Sequence, residues 1–293
     1  MAGPFYNLAA FQAGCALVNL LPRSFAHALA AWLGRMGYRR NAAAREAARA
    51  NLGQISGQGG AELEALCAAN VQNFSRMMAD YFLCTTARTE RIEALLHEWR
   101  GFEHLENARA RGKGIVLVTA HFGNWELGGT LLALRGLPMT VITLDEPTSQ
   151  LTRWRDRQRQ LLGIKTIAVG PGHDFAFVEM MQALRRNEII AMLIDRPYAG
   201  TGTTVRFFDR PAEFSTAPAL LWRHTDAAII PAFVLENSTR GYVSFADPAL
   251  PFARTNDARA DLVENTQRLA MHFEAIIRDR PDQWFNYAPV WKE

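Results

Sequence analysis

Residues 116–129 read Val-Leu-Val-Thr-Ala-His-Phe-Gly-Asn-Trp-Glu-Leu-Gly-Gly and decide the fold, because they join a strand to a helix. The apolar run at residues 115–120 is rich in β-branched side chains, which predicts a buried strand. Residues 125–134 predict a helix that ends before Gly136, with Asn124 as its N-cap. A strand followed directly by a helix is the unit from which α/β folds are built.

His121 and Glu126 lie on either side of this strand-to-helix turn. Five positions along one helix would point them roughly 140° apart, whereas across a turn the two side chains can meet. A carboxylate bonded to one imidazole nitrogen fixes the tautomer and leaves the other nitrogen free to accept a proton. No Ser or Cys lies beside the pair, so the nucleophile is expected to be a substrate hydroxyl. The alternative is a strand-end histidine held only for packing.

The motif His-Phe-Gly-Asn-Trp-Glu resembles the His-x4-Glu signature of the bacterial lipid A biosynthesis acyltransferases, a lauroyl/myristoyl transferase family. That family lies within the wider group of glycerolipid acyltransferases, whose usual form is His-x4-Asp. The resemblance covers about residues 20–290. It implies direct transfer of a fatty acyl chain from a thioester to a hydroxyl of a lipid A precursor, with His121 and Glu126 catalytic and with neither metal nor cofactor.

Four arginines alternate along a predicted helix at residues 149–162, and pairs four apart share a helix face. One pair is therefore expected to face a cleft and the other to face solvent. The resemblance implies that basic residues here bind the acceptor, with Arg157 the best match and Arg159 the next. With Arg157 facing the cleft, the other pair, Arg155 and Arg159, is expected to face solvent and to bind the protein that carries the acyl donor. The alternative for each arginine is an ordinary solvated face.

Asp195 ends a strand of six apolar residues, and ligands of open α/β sheets gather beyond the carboxyl ends of strands. It is expected to orient Arg157 or another cation, although a turn aspartate before Pro197 is the alternative. Residues 189–196 resemble a second family signature that ends in Asp-Gln, and Arg196 departs from it. Asp209, after two phenylalanines, likewise stands where the family has Gly.

Stabilisation of the oxyanion is predicted from backbone N–H groups near Gly123 and Asn124, or from Arg157. These backbone groups and the arginine helix complete the predicted substrate-binding set. The donor is expected to be acyl carrier protein, a small acidic protein that a basic helix would attract, or else acyl coenzyme A. The open alternatives are another acceptor, such as a phosphatidylinositol mannoside, an aminolipid or a lysophospholipid, or a non-catalytic lipid-binding protein.

The composition favours one large domain at a membrane surface. The 293 residues are 49% hydrophobic, which is enough for one α/β domain, at residues 41–293, behind apolar N-terminal helices at residues 1–40. The net charge of +3 suits an anionic membrane and is too small to indicate nucleic-acid binding. Three cysteines without C-x-x-C spacing favour a reducing cytoplasm over disulfides or zinc.

The first 22 residues carry no charged side chain, yet they lack the basic start and cleavage site of a signal peptide. Their polar residues and Pro22 make a poor membrane span, which leaves an interfacial helix or a helix packed on the domain. With the arginines that follow, including Arg23, and with the family resemblance, this segment predicts association with the cytoplasmic face of the inner membrane.

The chain order predicts an α/β fold with a mixed, mostly parallel sheet that carries helices on both faces. The first hundred residues or so are predicted to be helical, including residues 91–99, so that strands begin at the His121 motif. Strands and helices then alternate, and residues 241–246 are expected to be antiparallel to a neighbour. This arrangement resembles the glycerolipid acyltransferase fold.

Overall fold

A computed structural model of the chain describes residues 6–86, 88–198 and 200–291. It confirms the predicted fold class: a seven-stranded mixed sheet has the order β1-β9-β8-β2-β5-β3-β4, and a separate hairpin pairs β6 with β7. The strands are β1 Leu96–Arg100, β2 Ile115–Thr119, β3 Met139–Leu144, β4 Lys165–Val169, β5 Ile189–Leu193, β6 Gly202–Phe207, β7 Arg210–Ser215, β8 Ala228–Glu236 and β9 Tyr242–Ala246. Within the large sheet β8 and β9 are antiparallel, as expected for residues 241–246, and the other neighbours are parallel.

Helices cover both faces of the sheet and form the N-terminal region. The helices are α1 Leu8–Leu20, α2 Arg23–Arg40, α3 Ala42–Ser56, α4 Gly60–Cys84, α5 Thr89–Glu93, α6 Phe102–Ala110, α7 Trp125–Leu134, α8 Ser149–Leu161, α9 Ala176–Arg185, α10 Ala217–Thr225 and α11 Ala258–Asp279, with a 3-10 turn at Pro281–Gln283. Strand β2 has all five side chains buried. Its Val116 and Val118 pack in one apolar cluster with α9–α11, and its Leu117 packs in another with α6 and α7.

The central strands β2 and β5 bring two polar residues to one edge of the sheet. They are parallel and in register, so that Thr119 pairs with Leu193 at their carboxyl ends. The backbone N–H of Ile194 donates to the carbonyl oxygen of Thr119 at 3.0 Å, which continues the pairing beyond both strands. His121 and Asp195, each two residues beyond this pair, therefore emerge side by side.

The prediction of a helix over residues 91–99 is wrong, because β1 begins at Leu96 and strands therefore appear before the His121 motif. Strand β1 lies at the sheet edge and pairs in parallel with β9, about 145 residues later in the chain. His97, Glu98 and Arg100 are exposed, as is common on an edge strand. These polar side chains mask the apolar alternation that would have indicated a strand.

The hairpin of β6 and β7 explains the departure at Asp209. Phe207 pairs with Arg210, so Phe208 and Asp209 form a two-residue loop. Both have positive φ, 46° and 63°, which is the geometry of a type I′ turn. Aspartate tolerates this left-handed region, so it can replace glycine here.

The N-terminal helices pack on α4. Helix α1 buries Phe11, Cys15 and Val18. Asp80 of α4 accepts hydrogen bonds from the Arg23 guanidinium at 2.7 and 2.8 Å and from the Tyr242 hydroxyl at 2.8 Å, so Arg23 is held by an ion pair. In the part of the chain that the structure describes, none of the helices is long and apolar enough to cross a bilayer.

Candidate active site

His121 lies at the carboxyl edge of the sheet and is bonded to Asp195. Its ring Nδ1 is 2.8 Å from Asp195 Oδ1, and its backbone N–H donates to the same carboxylate at 3.1 Å. The indole N–H of Trp284 donates to Asp195 Oδ2 at 3.0 Å. Because an ionised carboxylate can only accept, Nδ1 carries the proton and Nε2 is left unprotonated.

The Asp195 carboxyl is buried and charged. Burial by itself raises its pKa, but the interactions with His121, followed by those with Arg196 and Trp284, lower the pKa to about 2. Above about pH 2 the Asp195 carboxyl is therefore mostly ionised and can only accept hydrogen bonds. Asp195 was expected to orient Arg157 or another cation; its bonds go to His121 and Trp284, and Arg157 lies outside the cavity lining.

The loop after His121 is held by the C-terminal tail and by β8. The Phe285 N–H donates to the His121 carbonyl oxygen at 2.7 Å, and the Gly123 N–H donates to the Gln283 carbonyl oxygen at 2.9 Å. Gly123 has a φ of 65°, and a Cβ there would lie 2.2 Å from the Val234 carbonyl oxygen. Only glycine fits this approach.

Gly123 and Asn124 have structural roles in this arrangement. The Asn124 N–H donates to the Val234 carbonyl oxygen at 2.7 Å, and its side-chain oxygen accepts from the Leu127 N–H at 3.0 Å, which confirms the predicted N-cap of α7. Both residues are buried. Since these two backbone N–H groups already have carbonyl partners, neither is free to bind an oxyanion.

Glu126 is paired with arginines. Its Oε1 accepts from Arg155 Nη2 at 2.6 Å and lies 3.7 Å from Arg159 Nη2. Among the described residues no hydrogen bond joins Glu126 to His121. The first turn of α7 directs Glu126 towards α8, whereas β5 delivers Asp195 to the imidazole. The expected bond from Glu126 to the His121 ring is therefore replaced by one from Asp195.

Arg155 is enclosed by carboxylates and an aromatic ring. It also bonds Glu146, and its guanidinium carbon lies 5.3 Å from the centre of the Tyr81 ring. Burial lowers the pKa of Arg155, but Glu126, Tyr81 and Glu146 more than offset this effect, so the pKa is raised well above its usual value. Arg155 and Glu126 thus form a charged, ordered wall of the site.

The facing of the α8 arginines is the reverse of the expected one. Arg155 and Arg159 face the cavity with side chains only 12% and 14% exposed, whereas Arg153 and Arg157 are exposed and lie outside its lining. Leu151 is fully buried and sets the helix phase, because residues four and eight positions later share its face. Arg157, the best family match, is thus not at the cavity.

A cavity of about 970 Å³ lies over His121 and extends into the protein. Its polar part includes His121, Glu126, Arg155 and Arg159. Apolar side chains of the sheet and of helices α6 and α7 also line the cavity, namely Leu105, Leu117, Leu132, Met139, Ala191 and Ala232. A Cβ built on Gly129 of α7, which lines the cavity, would meet nothing within 4 Å. The site therefore combines a proton acceptor, arginines held by carboxylates, and an apolar lining.

Of the residues predicted from the sequence, His121, Glu126 and Arg159 share this cavity, and Asp195 lies behind His121. Trp284 was not singled out, although it binds the same carboxylate. The sequence did hold a signal for the pairing of Asp195 with His121, because two apolar strands that each end in a polar residue are expected to lie parallel in one sheet. A neutral imidazole that is bonded to a carboxylate through one nitrogen has its other nitrogen free, and beside an apolar cavity lining it can perform general-base transfer of an apolar acyl group.

Comparisons with known proteins point to acyl transfer. Residues 6–293 match the family described as bacterial lipid A biosynthesis acyltransferase. A phosphatidylinositol mannoside acyltransferase of Mycobacterium tuberculosis is 30% identical over 249 residues, which cover 84% of this chain and 77% of the relative. The protein of the same name from Mycolicibacterium smegmatis is 26% identical over 289 residues, which cover 96% and 90%.

Proposed function

The chain belongs to the bacterial lipid A biosynthesis acyltransferase family and is an acyltransferase, and from this premise we propose that it acylates a hydroxyl of a membrane glycolipid at His121. The observation that carries the proposal is the bond of 2.8 Å between His121 Nδ1 and Asp195, since His121 lines a cavity that also has apolar walls. It leaves Nε2 as the proton acceptor beside the space that suits an acyl chain.

In the proposed reaction, Nε2 of His121 takes the proton of the acceptor hydroxyl as its oxygen attacks the thioester carbonyl carbon. The C–O bond forms, the C–S bond breaks, and the thiolate leaves with the proton that Nε2 has held. Asp195 keeps Nδ1–H in place and stabilises the imidazolium. The products are one ester and one thiol, and no acyl-enzyme is required.

Arg159 is the candidate for stabilising the oxyanion of this step. It lines the cavity, and both of its ion pairs, with Glu126 and Asp156, are 3.7 Å long, so its N–H groups are only loosely engaged. Glu126 holds Arg155 and Arg159 at the mouth. In this assignment Glu126 is a positioning residue that acts through the arginines.

We propose a lipid A precursor as the acceptor, in line with the family description. The second candidate is a phosphatidylinositol mannoside, which is favoured by the names of the relatives. Both are sugar-bearing lipids with phosphate groups. Purified protein incubated with a fatty acyl thioester and each acceptor in turn distinguishes them, since only the true acceptor gains the mass of one acyl ester. Failure to acylate either one would contradict the glycolipid assignment.

We propose acyl carrier protein as the donor, with acyl coenzyme A as the alternative. The support is the exposed pair Arg153 and Arg157 on α8, the outer face of the helix whose other face lines the cavity. An acidic carrier that docks there would be steered by charge.

The double variant Arg153→Glu with Arg157→Glu is therefore expected to lower kcat/KM for the carrier-bound donor about tenfold or more at low salt, and to leave acyl coenzyme A nearly unaffected. The difference should shrink as salt rises. Initial rates with both donors measure it, and Arg111→Glu with Lys113→Glu, exposed charges before β2, is the control. An equal loss with both donors would assign these arginines elsewhere.

We propose that α1 and α2 hold the protein on the cytoplasmic face of the inner membrane. Large apolar side chains are exposed on both helices, namely Leu17, Leu20, Phe25, Trp32 and Leu33. Arg35, Arg39 and Arg40 are exposed nearby and suit anionic headgroups. Arg23 is excluded from this set by its ion pair with Asp80.

Replacing Phe25 and Trp32 by serine is expected to weaken binding to anionic vesicles about tenfold or more. Each exposed aromatic side chain contributes about 1.5–3 kcal/mol to the binding free energy when it moves from water into the bilayer. Vesicle sedimentation measures the effect. The matched control replaces Val263 and Met271, exposed apolar residues of α11, by serine. Equal losses in both double variants would show that α1 and α2 are not the membrane contact.

A further inference from the structure

Arg196 is a cavity arginine that has no carboxylate partner within the described part of the chain. It follows Asp195 directly, is exposed, and lines the same cavity as His121. Its hydrogen bond goes to the Phe285 carbonyl oxygen, at 2.5 Å from Nη2. In the residues that the structure describes, no carboxylate oxygen lies within 4.0 Å of its guanidinium nitrogens.

The other two arginines of the cavity differ in this respect. Arg155 bonds Glu126 and Glu146, and Arg159 lies near Glu126 and Asp156. The charge of Asp195 does act on Arg196 through space, but its oxygens already accept bonds from His121 and Trp284. Arg196 thus offers a positive charge and most of its N–H donors to whatever occupies the cavity.

We propose that Arg196 binds a phosphate ester group of a substrate and so positions that substrate beside His121. A planar guanidinium suits two oxygens of one phosphate group, and such charge-assisted bonds are among the strongest in proteins. The inference rests on the proposed function, because thioester donors on coenzyme A or a carrier and phosphorylated lipid acceptors both bring phosphate esters to this cavity.

The position of Arg196 also makes the role specific. Its Phe285 carbonyl partner belongs to the residue whose N–H bonds the His121 carbonyl oxygen. The Arg196 guanidinium and the backbone of His121 are therefore both hydrogen-bonded to Phe285, which links their positions. A phosphate held by Arg196 would set the distance from the reacting group of the same substrate to Nε2.

The test compares Arg196→Gln and Arg196→Lys with the native protein and with Arg111→Gln, an exposed arginine outside the cavity. Isothermal titration with coenzyme A and with soluble dioctanoyl phosphatidylinositol measures binding without turnover. Arg196→Gln is expected to weaken the binding of at least one probe about 10-fold to 100-fold, and Arg196→Lys to weaken it less. Inorganic phosphate should compete in the native protein and much less in Arg196→Gln.

A loss confined to coenzyme A assigns the donor phosphate, and a loss confined to the phosphatidylinositol assigns the acceptor phosphate. Unchanged binding of both probes in Arg196→Gln, or a fall in kcat with all KM values unchanged, would show that Arg196 only anchors Phe285 and would overturn the inference. If Arg196→Gln does not fold, Arg196→Lys must still weaken a probe several-fold. A native protein that binds the probes through Arg196 but transfers no acyl group would refute the proposed function alone.

Discussion

Replacement of His121 by alanine is expected to lower turnover by about 10²–10⁴-fold, the range typical of a lost general base. The ring is only partly buried, and among the described residues it has one hydrogen-bond partner, Asp195, so its removal should leave the fold intact. The measurement is the initial rate of thiol release in the presence of acceptor, together with the melting temperature.

His272 supplies a matched control. It forms a second His–Asp pair, with Nε2 at 2.8 Å from Asp247 Oδ2, and it lies outside the cavity lining. His272→Ala is expected to retain turnover close to that of the native protein. A folded His121→Ala variant with near-native turnover would remove His121 from the mechanism.

Replacement of Asp195 by asparagine is expected to lower turnover by about 10²–10⁴-fold as well, through the tautomer of His121. An asparagine amide that donates to Nδ1 would favour the ring form with its proton on Nε2, which cannot act as a base. Asp247→Asn, at the control pair, should have little effect. Glu126→Gln should lower turnover less than Asp195→Asn does and should mainly raise KM, because Glu126 holds the arginines of the cavity rather than His121.

The Asp195 carboxyl also makes the stability of the protein depend on pH. Its pKa is depressed to about 2 from an ordinary value of 3.8, so the native state is stabilised above about pH 4 by about 2 kcal/mol. This contribution is lost as the pH falls from about 4 through about 2. Asp195→Asn should therefore unfold more readily at neutral pH and lose less stability between pH 4 and 2. A native-like turnover in this variant would contradict the assigned role of Asp195.

Local patterns were sufficient for the part of the site that lies on one continuous segment. The strand, the turn at His121, the Asn124 cap and helix α7 at residues 125–134 were all predicted and are all present. The partner of His121 was not, since Asp195 is 74 residues away along the chain. Its place depends on β2 and β5 being neighbours in the sheet, which is a property of the strand order.

The arginine helix shows a similar limit. Spacing predicted correctly that the four arginines form two pairs on two faces, but it did not say which face is inward. The inward face is determined by Leu151, which is fully buried, and by Glu126 and Glu146, which line the cavity and form ion pairs with Arg155. Strand β1 was missed for the same kind of reason, because its backbone partner β9 is remote.

The central claim is direct acyl transfer at His121, and one measurement tests it most directly. Purified protein is incubated with a fatty acyl thioester and the lipid A precursor, and the masses of lipid and protein are recorded alongside the thiol released. Direct transfer at His121 should release one thiol for each acyl ester gained by the lipid and leave the protein unmodified, and both products should be lost in His121→Ala. Thiol release without an acylated lipid, or an acyl group on the protein during turnover, would contradict it.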